Sequence, residues 1–71
     1  MIKHSKEQVK KLFKLLSYSD KYMISIQFWP ELTAVYISKD DVDISDYGGD
    51  FDFAIDSAIA FLERINKKNH P

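Results

Sequence analysis

Cysteine is absent from all 71 residues, which removes disulfides and thiolate metal sites together. No apolar run reaches the length that a membrane span or a secretory signal needs. Met1-Ile2-Lys3-His4 leads straight into charged residues, so a cytoplasmic protein is expected. Histidine occurs twice, as His4 and His70 at opposite ends, and neither has a built environment for acid–base work. Neither charge sign prevails: ten basic and eleven acidic residues give a net charge of −1, and no overall field favours nucleic acid. Catalysis is not expected, because a chain this short has little room for titratable groups converging in a pocket. No cofactor and no metal is expected either.

One domain fits in this length. A chain this small buries only about 60% of its unfolded surface, so its net stability is a few kcal/mol. Without cysteine, the missing margin points to a partner subunit or a bound protein.

The stretch from Tyr22 to Ser45 carries the clearest pattern. Tyr22, Ile24, Ile26 and Phe28 alternate with Met23, Ser25, Gln27 and Trp29, the period of two that a strand requires. Pro30-Glu31 suits a tight turn because proline already holds the φ of its first central position. Trp29 then sits opposite Leu32, Phe28 opposite Thr33, Ile26 opposite Val35 and Ile24 opposite Ile37. A second turn at Lys39-Asp40 places Val42 beside Ile37 and Ile44 beside Val35. In that register Ile24, Ile26, Phe28, Val35, Ile37, Val42 and Ile44 share one face. A slip by one residue would turn each strand's apolar set outward.

Helices flank these strands. Ser5 and Gln8 have the spacing of a capping box, and Val9, Leu12, Phe13 and Leu16 follow on one helical face, widened by Leu15. At the other end, Tyr47-Gly48-Gly49 reads as a chain breaker and Asp50 as the N-cap of the last helix. Phe51, Ala54, Ile55, Ala58, Ile59, Phe61, Leu62 and Ile65 make its apolar face, and Phe53 falls off that stripe. Lys67 and Lys68 match the dipole of the last turn, and Asn69-His70-Pro71 should fray. The expected fold is α+β: a two-layer α-β-β-β-α domain whose three-stranded antiparallel sheet carries both helices on one face. Its elements cover residues 5–18, 22–29, 32–38, 41–45 and 51–68.

Charge is segregated along the chain. Residues 1–21 hold six lysines against Glu7 and Asp20, a local net of +4. Lys6, Lys10, Lys11 and Lys14 would form a basic face on the first helix, which offers nucleic-acid binding as one reading. A soluble helix also needs a charged outer side, and no arginine is present there for bidentate phosphate contacts. Seven aspartates lie between Asp40 and Asp56 with no basic residue among them. A calcium loop beginning at Asp41 finds Asp46 where its glycine belongs, and one beginning at Asp43 finds Ala54 where its glutamate belongs. The cluster therefore reads as protection of a sheet edge, or as an acidic surface for a basic partner.

The second sheet face is mixed, expected to present Met23, Ser25, Gln27, Trp29, Leu32, Ala34, Tyr36, Asp41, Asp43 and Ser45. Met23, Trp29, Leu32 and Tyr36 form an apolar patch there, rimmed by Gln27, Asp41, Asp43 and, at the edge, Asp46. Such a patch is typical of protein contacts, although small sheets also leave a few aromatics half exposed. Base stacking would want basic surroundings, and the nearest charges are acidic. The expectation is a protein-binding module acting on a larger partner or as a homodimer.

Gly49-Asp50-Phe51-Asp52-Phe53-Ala54-Ile55-Asp56-Ser57-Ala58, placed after the strands, resembles the strand-to-helix junction of HicB-type antitoxin domains. The likeness spans residues 22–65. The leading helix is extra, and the glycine-rich strand pattern of that family is missing. Size and element order are also similar to small accessory proteins of bacteriophages and prophages, which implies binding to, and inhibiting or modulating, a host protein.

Overall fold

The computed structural model describes residues 5–68. The histidines and the fraying expected of residues 69–71 lie outside that range. In chain order the elements are α1 (Lys6–Leu16), β1 (Met23–Trp29), β2 (Leu32–Lys39), β3 (Val42–Gly49) and α2 (Phe51–Lys68). The fold is α+β, with a three-stranded antiparallel sheet in the order β1-β2-β3.

The capping box forms at the start of α1. Gln8 N–H donates to Ser5 Oγ at 3.2 Å, and Ser5 N–H donates to Gln8 Oε1 at 2.9 Å, so two donors of the first turn are satisfied. The helix ends at Leu16, two residues before the expected stop. Tyr18 then anchors a turn, its carbonyl accepting from the N–H groups of both Lys21 and Tyr22.

The first hairpin has the expected register at every pair, from Ile24↔Ile37 to Trp29↔Leu32 around Pro30-Glu31. The second does not. Its turn is Asp40-Asp41, both at positive φ (54° and 64°), the conformation a primed hairpin turn demands. Aspartate tolerates this region better than most side chains do. Lys39 therefore pairs with Val42 and Ser38 with Asp43. A bulge then breaks the register, and Ile37 faces Ser45 while Val35 faces Tyr47. Val42 and Ile44, expected over the core, are exposed, Val42 by 60%. Ser45, expected on the open face, pairs with core residue Ile37 instead. Tyr47 packs against the core in the slot predicted for Ile44 and meets Phe61 at 6.3 Å.

The glycine pair does not break the strand. Both residues belong to β3, which runs four residues beyond its expected end. The Phe53 ring lies against Gly49, where a Cβ would stand 2.9 Å from it, so this position takes glycine. That contact explains why Phe53 leaves the apolar stripe. Asp50 caps α2 as expected, accepting from Phe53 N–H through Oδ1 at 2.8 Å.

Leu15, Val35, Ile37, Ile55 and Leu62 are fully buried and form the centre of the core. Burying side chains of this size contributes about 1.5–3 kcal/mol each before conformational entropy is counted. Ala54 and Ala58 are also fully buried and let α2 lie close over β2 and β3. Helix α1 leans on α2 and barely touches the strands. Its expected apolar face is turned inward only in part: Leu12 packs against the core and Leu15 is fully buried, while Val9, Phe13 and Leu16 are exposed, Phe13 by 68%. The helix layer also barely reaches β1, where Ile24 and Ile26 are half-buried and Phe28 remains 46% exposed while stacked on Phe51.

Candidate functional site: the open sheet face

Side chains alternate across a strand, so the pairs opposite the core fix what the other face presents. Across β1 and β2 these are Met23↔Ser38, Ser25↔Tyr36, Gln27↔Ala34 and Trp29↔Leu32. Across β2 and β3 they are Ser38↔Asp43, Tyr36↔Asp46 and Ala34↔Gly48. The apolar patch expected from the sequence is therefore one surface. Met23 stands at one end, Tyr36 at the middle, and Trp29 with Leu32 at the hairpin end. Relative exposures of 66% for Met23, 44% for Trp29, 42% for Leu32 and 41% for Tyr36 leave it open to contact.

Small residues occupy the centre of the face. Ala34 lies in its middle and is buried under its neighbours. Gly48 offers no side chain of its own, and Leu32 Cδ1 approaches to 3.9 Å from where a Cβ would stand. At the hairpin end, Trp29, Pro30 and Leu32 help line a hollow of about 200 Å³ that reaches Phe51. The acidic rim differs in part from expectation. Asp43 sits on the face opposite Ser38, and the bulge brings Asp46 opposite Tyr36, while Asp41 belongs to the turn. Tyr36, Ile44 and these two carboxylates help line a second shallow hollow of about 330 Å³.

The lysine face of α1 is not uniformly available. Lys11 Nζ lies 3.4 Å from Asp52 and 3.2 Å from Asp56, and Lys14 Nζ lies 3.2 Å from Glu63. These pairs tie α1 to α2. The hydrogen bond from Lys11 to Asp56 is the main influence raising that ammonium above the ordinary lysine value; partial desolvation opposes it, and the charges of Asp56 and Asp52 add to it. Lys6 and Lys10 remain exposed, with no ion pair among the described residues.

Sequence reasoning missed two surfaces. One is the Val9, Phe13 and Leu16 stripe, which the helical period identifies as apolar but cannot assign to water. The other is an open polar hollow of about 460 Å³ between residues 19–24 and the Asp40-Asp41 turn. There the Lys39 ammonium lies 5.5 Å from the centre of the Tyr22 ring.

Among the described residues, no group of three or more histidine, cysteine or acidic side chains is arranged to hold a metal ion. No described helix is long and apolar enough to cross a membrane. The chain matches no protein-family model, no curated protein and no solved structure.

Proposed function

We propose that this protein is a small non-catalytic binding module that recognises another protein through its open sheet face. The observation that carries the reading is that Met23, Trp29, Leu32 and Tyr36 share one sheet face, exposed and not covered by a helix, and bordered on one side by Asp43 and Asp46. Trp and Tyr give large rigid contact area at small entropic cost and dominate the energetics of protein interfaces. The carboxylates on β3 favour a partner with basic groups at the matching border and raise its rate of encounter.

Trp29 is the single tryptophan of the chain, so its fluorescence reports on this face alone. A captured partner should shift its emission to the blue and protect it from iodide or acrylamide. Trp29→Ala combined with Tyr36→Ala should abolish capture, because loss of one such anchor commonly costs about 2 kcal/mol or more. The circular dichroism spectrum should survive that change. A partner that binds while leaving Trp29 as quenchable as before, or that binds the double variant equally well, would refute the reading.

A further inference from the structure

The two edges of the sheet are built differently, and we propose that β1 pairs with β1 of a second copy across a two-fold axis at Ile26. This does not depend on the sheet-face reading. The β3 edge carries Asp43 and Asp46 and a bulge, devices that discourage another strand from adding. The β1 edge, MISIQFW, has no charge, no proline and no bulge over its seven residues. Its inner side is also the part of the sheet that the helices barely reach, leaving Ile24, Ile26 and Phe28 incompletely covered.

The strand is complementary to itself. A two-residue turn closes on a hydrogen-bonded pair, here Trp29↔Leu32. The alternate residues Ile24, Ile26 and Phe28 therefore direct their N–H and C=O groups away from β2. An antiparallel copy centred on Ile26 sets Ile26 against Ile26 and Ile24 against Phe28, and makes about six hydrogen bonds between the chains. On the inner side those contacts are apolar throughout. On the open side Ser25 meets Gln27, and Met23 meets Trp29, a favourable pairing of sulfur with an aromatic ring. The same axis brings the end carrying Lys21 beside the end carrying Glu31 of the other copy, twice. Self-pairing through β3 would instead crowd aspartates together. The product is an isologous dimer with one continuous six-stranded sheet, and the two open faces join into a wider one.

Ser25 and Gln27 are exposed on the open side and opposite each other in the dimer, so charge can be introduced there without touching the core. Light scattering after size exclusion should give a two-chain mass for the wild type. Ser25→Lys with Gln27→Lys should raise the dissociation constant roughly tenfold or more. Ser25→Glu with Gln27→Glu should do the same alone, and an equal mixture of the two variants should restore the two-chain mass. In the wild type the amides of Ile24, Ile26 and Phe28 should exchange with solvent more slowly than in the lysine variant. A single-chain wild-type mass at all concentrations would overturn the inference, leaving the Trp29 quenching test intact. So would a lysine variant that dimerises normally, a mixture that stays monomeric, or edge amides that exchange equally fast in dimer and variant, which would place the contact elsewhere.

Discussion

Helices α1 and α2 have similar sequence credentials and opposite fates. Each begins with an oxygen-bearing cap and repeats apolar residues at helical spacing. The second sinks Ala54, Ile55, Ala58, Ile59 and Leu62 into the core, while the first sinks Leu15 and leaves Val9, Phe13 and Leu16 outside. The difference lies in what each can rest against. A three-stranded sheet is about 14 Å across, and a helix with its side chains occupies about 10 Å of that width. With two small alanines facing inward, α2 takes the central place over β2 and β3. What remains for α1 is the flank of α2, and that flank carries Asp52, Asp56 and Glu63. The rotation that satisfies Lys11 and Lys14 there brings Leu15 inward and turns Phe13 out. The ion pairs accompany that placement and, being largely exposed, add little to it; the room left beside α2, which takes Leu15 and part of Leu12, sets which apolar residues of α1 are buried.

The largest test of that contrast is a pair of truncations. Leu62→Ala should destabilise the domain by about 2–5 kcal/mol in urea unfolding, most of what so small a fold has. Phe13→Ala removes a larger side chain and should shift stability by no more than about 0.5 kcal/mol, because that ring lies mostly in water already. Equal losses at the two positions would mean that α1 is rotated with its stripe inward.

The same competition between local pattern and neighbours decides what the sequence reveals. The first hairpin is legible pair by pair, because alternation continues unbroken on both sides of Pro30-Glu31 and any slip would expose the set Ile24, Ile26, Val35 and Ile37. Met23, Gln27, Trp29, Leu32 and Tyr36 are legible as one surface for that reason. The second hairpin misleads because Val42 and Ile44 alternate with aspartates as a half-buried strand would. A left-handed Asp40-Asp41 turn carries no glycine to announce it, and a bulge carries no composition signal at all. Together they move the core position from Ile44 to Tyr47 and bring Asp46 onto the open face. Gly48-Gly49 resembles a terminator, yet the pair continues the strand, and Gly49 does so where the Phe53 ring needs room.

The caps sharpen the comparison at intermediate cost. Asp50→Ala should cost about 1 kcal/mol, since it uncaps the helix that carries most of the core. Ser5→Ala should fall toward the low end of the range for cap removal, about 0.5 kcal/mol, because α1 can fray at its first turn without disturbing Leu15. Thermal melts of the two variants measure the difference. A larger loss at Ser5 would show α1 to be the more integral of the two helices.

The smallest expected effect concerns the electrostatic clasp between the helices. Lys11 is held above the ordinary lysine value of 10.5 in the folded protein, so its contribution is complete below that value and declines as pH rises through the folded one. Lys11→Met cannot hydrogen-bond to Asp56 or Asp52. The melting temperature of the wild type should exceed that of this variant by a constant margin from pH 7 to about pH 9, and the margin should close as the ammonium deprotonates. Added salt should narrow it as well, because all three partners are partly exposed. A margin indifferent to both pH and salt would assign the effect of the substitution to the aliphatic stem of Lys11 and not to its charge.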